Sequence, residues 1–526
     1  MPLIASGRMA TPALLALTLL ALTPVAQAIP EGPEYPSPAW FARDLANVAR
    51  TTQGPAEQVL NPAFMAAWQT RSAENTLSWT QRIADDPSWL LGQSLNTPVT
   101  PLCTTWAEQC AGDPFRYPTA AGPDGAPFYE SEAEVIPVVF YDRGCARLSG
   151  RVWTPRDGGA RLPGIVIENG SIQAPEPIYW WAAQMLVRAG YTVMTFDPRG
   201  QGRSDQQTPQ GEQGSNANST VFWDGLVDAI DFFRSTPDQP YPVNADCAGT
   251  YPTEVTAHNP HHARIDPDRL GLAGHSLGAT GVSVVQSYGA VGADPWPGRL
   301  DAQNPVDVIV AWDGLSVPGA AAGNRPAIVP RVPAMGQSGE YFLFPQPLSA
   351  PPDPEEHKTA FTAWAEASVP AFQFTIQGGT HFEWSLIPSF PSTSWCASTA
   401  NGRCEGGWGN PMAAHYTLAW FDRWLKRSDE PGFADADARL LADADWQERL
   451  SFYRRSARDF PSRDGVRQVC DDMRAGCEPT ASSGATPAAG ARVDGFSRGG
   501  STGAWVLAML GWLGWRRARR QAPARR

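Results

Sequence analysis

The side chains that could do chemistry gather around one serine. Gly274-His275-Ser276-Leu277-Gly278 matches the pattern G-x-S-x-G. An apolar run at 270–273 precedes it and reads as a short buried strand, and a helix-compatible segment at 279–288 follows. Strand, tight turn and helix together make a nucleophile elbow. Side chains at 274 and 278 would clash in so tight a turn, and its strain lifts the Ser276 hydroxyl clear of the sheet. The same pattern recurs at 495–499 and 499–503, in a Gly/Ser/Arg stretch with no strand before it, and reads there as linker composition. An alcohol is a weak nucleophile at neutral pH, so Ser276 needs a base, and the base needs an acid to orient it. Seven histidines are available. His381 alone follows both a strand, at 371–376, and a Gly-Gly turn, a setting that delivers an imidazole over a sheet edge. His357 and His415 fall in or beside helical segments. Two acids stand at strand ends, Asp313 after 306–312 and Glu340 after 332–336, whereas Asp307 begins a strand. Such a set fits nucleophilic acyl transfer.

These groups lie far apart along the chain, so a sheet must bring them together. Segments 135–141 and 145–154 read as a hairpin. Segments 163–168, 191–196, 270–273, 306–312, 332–336 and 371–376 read as strands, several of them continuous apolar runs of the kind buried on both faces. Helical stretches at 179–188, 220–234, 279–288, 355–367 and 412–426 alternate with them. Alternation of this kind predicts a mostly parallel sheet with helices on both faces, and ligands of such sheets bind beyond the carboxyl ends of the strands. Every candidate group above falls at such an end.

The chain has 526 residues, enough for a large core. Its net charge is −12, and no basic patch appears before the C-terminus, which argues against a nucleic-acid partner. Residues 1–28 have the layout of a secretory signal: Arg8, an apolar core at 13–22 and Ala26-Gln27-Ala28 as the cleavage site. Export implies an oxidising compartment, and the eight cysteines agree. Cys103/Cys110, Cys396/Cys404 and Cys470/Cys477 are close in sequence and read as local loops, leaving Cys145 with Cys247. Zinc is not indicated, since no C-x-x-C spacing is present, and His258, His261 and His262 read as a solvated insertion loop. The aspartates at 435–437 and 443–445 lack the glycine of a calcium loop and read as a solvated helix start. Residues 29–130 form an N-terminal extension without assignable chemistry, 131–477 the main domain, 478–500 a flexible linker and 501–526 an apolar segment with a basic tail.

From about residue 134 to 427 the chain resembles the α/β-hydrolase superfamily. The residues that carry the likeness are the elbow at 274–278, the turn Asp197-Pro-Arg-Gly-Gln-Gly-Arg-Ser204, and Gly378-Gly-Thr-His-Phe382. The resemblance implies the chain order nucleophile, acid, base. It therefore selects His381 over the histidines that precede Ser276, and Glu340 as the acid, with Asp313 as the alternative used by a smaller set of relatives. It also implies an oxyanion hole from the backbone of Leu277 and of Ser171, or alternatively Ile172, in the loop after the third strand. Asn169-Gly170 stands where many relatives carry His-Gly. The loops at 313–331 and 382–411 are expected to roof the cleft, where Trp384, Trp395 and Trp408 either meet an acyl group or pack around a disulfide loop. The implied activity is that of an exported serine esterase without cofactor, acting on a small-molecule, lipid or polymer ester. The alternatives are a peptidase or amidase on the same residues, and a non-catalytic binding protein that kept the fold.

The tail has a second resemblance. Gly499-Gly500, an apolar run at 504–515 and Arg516-Arg517-Ala-Arg519-Arg520 are similar to the Gly-Gly C-terminal sorting signals of Gram-negative bacteria, which a rhomboid-type protease cuts. The other reading is a weak C-terminal membrane anchor with cytoplasmic arginines. Both place the main domain outside the cytoplasm, in the periplasm, at the cell surface or secreted.

Overall fold

The computed structural model describes residues 32–60, 62–93, 128–171, 174–215, 217–342, 348–385 and 408–477. Ten strands are present among them: β1 (Ala133–Tyr141), β2 (Arg147–Pro155), β3 (Leu162–Glu168), β4 (Thr192–Asp197), β5 (Ile265–His275), β6 (Val308–Trp312), β7 (Ala334–Gly339), β8 (Ala371–Ile376), β9 (Ala457–Pro461) and β10 (Arg467–Cys470). They join one sheet in the order β1-β2-β4-β3-β5-β6-β7-β8-β9-β10. The block from β4 through β8 is parallel, and antiparallel pairs close both edges. The class is therefore α/β, with a large, mostly parallel sheet flanked by helices.

Apolar residues on both faces of the central strands explain the layering. Along β3, Ile165 and Ile167 face the helices Trp180–Arg188 and Asn410–Leu425, while Val166 faces Val221–Arg234 and Leu277–Val285. Successive strand side chains point to opposite faces, so a run such as Ile-Val-Ile must be covered twice. Each fully buried side chain of this size contributes on the order of 1.5–3 kcal/mol. Because the central strands are parallel, their carboxyl ends form one edge. That edge carries Glu168, Asp197, Ser276, Asp313, Glu340 and the turn after β8.

Several elements depart from the sequence reading. The elbow strand is longer than its apolar run, since it begins at Ile265. The C-terminal hairpin β9–β10 was not legible at all. Two long helices, Pro38–Leu60 and Pro62–Asp85, occupy much of the N-terminal extension. Its following turn, Pro87–Leu90, is pinned to the sheet by the fully buried Arg147, which donates to Ser88 Oγ at 2.8 Å and to Asp205 at 2.9 Å. Helices Ala436–Leu440 and Asp443–Trp446 start at the aspartate runs, as read from sequence. His261 is buried, contrary to the solvated loop expected there.

Disulfides join Cys145 to Cys247 and Cys470 to Cys477, two of the expected pairs, and fit an oxidising, extracytoplasmic location. The other two pairs, the signal segment, the linker and the tail lie outside the described residues. Among the described residues no helix is long and apolar enough to cross a membrane.

Candidate active site

Ser276 follows β5 and is held at φ 58°, ψ −119°, a region that L-residues rarely occupy. The turn is possible because its flanks are glycines. A methyl group at 274 would overlap the Gly278 carbonyl, and one at 278 would meet the Glu168 carbonyl oxygen at 2.7 Å. The Ser276 amide continues the ladder by donating to the Trp312 carbonyl at 3.1 Å. The Ser276 side chain does not cap the Leu277–Val285 helix, so its hydroxyl is left for other partners.

On the neighbouring strand, Asp313 directly follows β6 and also has a positive φ of 56°. Its Oδ1 accepts the Gly339 amide at 3.2 Å, and its Oδ2 is hydrogen-bonded to Nδ1 of His381. Burial works against the Asp313 charge, but the His381 imidazole, the His275 ring and the Gly339 amide together outweigh it and hold the carboxyl below its ordinary value. With Nδ1 engaged, Nε2 is the ring nitrogen of His381 left to meet a hydroxyl. Among the described residues Ser276 Oγ and His381 Nε2 share no hydrogen bond.

The preference for Glu340 as partner of the imidazole is corrected by this geometry. β7 runs on to Gly339, beyond the apolar run that marks it in sequence, so Glu340 leaves the strand late and turns away from His381. Its Oε2 accepts the Gly378 amide at 2.7 Å, its Oε1 accepts the Ser451 hydroxyl, and Arg43 lies 3.7 Å from it. His357 contacts Thr375 Oγ1 at 3.1 Å and His415 the Arg439 carbonyl at 2.9 Å, so neither joins the serine.

His275 has a part that sequence order did not suggest. Its Nε2 lies 2.7 Å from the His381 carbonyl, which only accepts, so this nitrogen carries the proton. Its Nδ1 then accepts from the Tyr179 hydroxyl at 2.9 Å, and the Tyr179 oxygen accepts the Gly170 amide at 2.9 Å. Burial pulls His275 down to about 3, so the ring is neutral, as this chain of bonds requires. The rings of His275 and His381 are 4.7 Å apart. One buried relay thus ties the loop after β3 to the elbow and to the turn after β8.

The loop after β3 is fixed from a second side. Gln201 donates to the Gly170 carbonyl and accepts the Ala174 amide at 2.7 Å. Asp197 accepts from Asn169 Nδ2 at 3.0 Å and from the amides of Glu176 and Arg203 at 2.8 and 3.0 Å, and burial pushes its carboxyl up to about 6. The 197–204 turn therefore acts as a buckle for the loop. With the Gly170 amide taken by Tyr179, the amide of half-buried Ser171 is the next in line; Ile172 lies outside the described residues. Leu277 is the first residue of its helix, where backbone N–H groups have no partner within the helix. Tyr179 and Gln201 carried no sequence signal beyond their place in the segments around them.

Trp384 is fully buried and donates to Gln337 Oε1 at 2.7 Å, so it packs rather than lines a cleft. Trp408 donates to the Gln377 carbonyl at 2.9 Å, and Trp395 lies outside the described residues. Among the described residues no group of three or more His, Cys, Asp or Glu could hold a metal ion. No protein-family profile matches this chain, and no curated protein matches it in sequence.

Proposed function

We propose that the chain is an exported serine hydrolase of the α/β-hydrolase type that cleaves carboxylic esters through an acyl-enzyme. The observation that carries this is the Asp313–His381 hydrogen bond on the same strand-end edge as the strained Ser276. The mostly parallel sheet and the strand–turn–helix around Ser276 support it.

In the first half-reaction Ser276 Oγ bonds to the ester carbonyl carbon while its proton passes to His381 Nε2. Asp313 keeps Nδ1–H directed and stabilises the imidazolium that forms. The amides of Leu277 and Ser171 take the oxyanion, and losing one such donor typically costs about 10²–10³ in kcat. His381 then protonates the alkoxide, which leaves as alcohol. Water repeats the sequence on the acyl-enzyme, with His381 as base, and releases the acid. The signal at 1–28, the two disulfides and the Gly-Gly tail support export, with release or retention at the surface set by processing of the C-terminal segment.

A fluorophosphonate probe together with chromogenic short-chain esters and anilides tests the proposal. Labelling at Ser276 and ester turnover, both lost in Ser276→Ala, are expected. A chain that is neither labelled nor active would overturn the hydrolase reading, and anilide turnover exceeding ester turnover would make it an amidase.

A further inference from the structure

The turn that carries His381 is gripped by a helix from outside the sheet. Gly378 has φ 61°, and a methyl group there would overlap the Arg50 guanidinium and meet Asn47 Oδ1 at 2.6 Å. Arg50 Nη2 donates to the carbonyls of Gln377 and Gly378 and to Asn47 Oδ1, each at 3.3 Å. The guanidinium lies over Trp408, 4.4 Å from the ring centroid. Asp44 and Asn47, both buried on the same helix, reach Tyr341: the Tyr341 hydroxyl donates to Asp44 Oδ1 at 2.7 Å and accepts from Asn47 Nδ2 at 3.4 Å. The Tyr341 amide in turn donates to the Gly379 carbonyl at 3.0 Å. Arg43 completes the row by facing Glu340, which holds the Gly378 amide.

One side chain of the helix Pro38–Leu60, Arg50, thus bonds directly to the turn three to four residues before His381, and Arg43, Asp44 and Asn47 hold Glu340 and Tyr341, which bond to the same turn. Burying so many polar groups away from water is costly unless each is satisfied. Arg50 finds its partners in the carbonyls of that turn, whereas Asp44 is satisfied by the Tyr341 hydroxyl and the Leu348 amide, and Asn47 by the Tyr341 hydroxyl. We propose that this helix is a positioning element of the hydrolase, with Arg50 as its principal positioning residue and Glu340 as the matching brace from the sheet. It rests on the serine-hydrolase reading above and assigns the N-terminal extension a part in it. Arg50 acts through the Gln377 and Gly378 carbonyls and does not touch the reacting atoms.

Arg50→Met keeps an apolar stem beside Trp408 and deletes the donors, whereas Arg50→Lys keeps a donor cation. On a short-chain ester, Arg50→Met should lower kcat about 10- to 100-fold with KM within about twofold, as expected for a displaced catalytic group. Fluorophosphonate labelling of Ser276 should slow in parallel and still reach the same end point, which separates a misplaced base from an unfolded fraction. Arg50→Lys should recover a substantial part of the lost rate. A kcat for Arg50→Met within about twofold of the parent, or a loss seen only in the labelling end point, overturns the positioning role. If the parent enzyme is itself neither active nor labelled, the hydrolase reading fails instead.

Discussion

Asp313 and His381 are hydrogen-bonded across the sheet although β7 lies between the strands that deliver them. Both leave their strands at abrupt turns: Asp313 at φ 56°, His381 after Gly378 at φ 61°. The two turns bend toward each other over the end of β7, and Glu340, which follows β7 directly, is left to face the helix behind them.

This pairing separates the two acids by experiment. Asp313→Asn should lower kcat for an ester by about 10³–10⁴-fold, because the amide no longer favours the required tautomer or the imidazolium. Glu340→Gln keeps an oxygen for the Gly378 amide and should cost less than about tenfold, since it disturbs only the placement of the turn. Steady-state kinetics of the two variants side by side decide the matter, and a larger loss in Glu340→Gln would reverse the assignment.

Buried, neutral His275 predicts acid sensitivity. Its folded value is about 3, below the ordinary 6.5 of an unfolded histidine. A depressed value means that stability is fully present above pH 6.5 and is lost as the pH falls toward 3. The slope approaches about 1.4 kcal/mol per pH unit from this one group. Urea unfolding at several pH values should show this slope in the parent and a shallower one in His275→Asn. Equal slopes would mean that the ring is protonated without cost in the folded chain.

The Cys145–Cys247 bridge spans 102 residues and fastens the β1–β2 turn to the insertion before β5. A closed loop of that length restricts the unfolded chain by about 4–5 kcal/mol in the chain-entropy account. The double substitution Cys145→Ser, Cys247→Ser should therefore lower the unfolding free energy by about 2–5 kcal/mol. Turnover by the folded fraction should stay unchanged, because the bridge lies among elements that do not carry Ser276, Asp313 or His381.

The legibility of the chain follows from which forces act locally. Runs such as Ile165-Val166-Ile167 and Val308–Trp312 announce buried strands because both faces must be covered. Ser276 and His381 could be singled out because glycines marked their turns. Which acid meets the imidazole could not be read, because it depends on how far β7 extends past its apolar residues, and Gly336 through Gly339 are small or polar. Strands β9 and β10 were hidden for a similar reason: Ala457-Arg-Asp-Phe-Pro461 and Arg467-Gln-Val-Cys470 hold no apolar run, and β9 owes its place to pairing with β8, as β10 does to pairing with β9. The first helix was obscured by Gly54-Pro55, which reads locally as a break. Tyr179, Gln201 and Arg50 left no trace, since their contacts with His275, Gly170 and Gly378 span 96, 31 and 328 residues and have no local signature.

The backbone at Ser276 has a consequence for how this chain could age in evolution. A serine kept at φ 58°, ψ −119° stores on the order of 1–3 kcal/mol of conformational tension. Glycine at that position would release it and, on the proposed serine-hydrolase reading, yield a sturdier molecule that no longer turns over substrate. Decay of the chemistry would thus be rewarded with endurance, and a silent descendant of this protein should outlast its parent on heating.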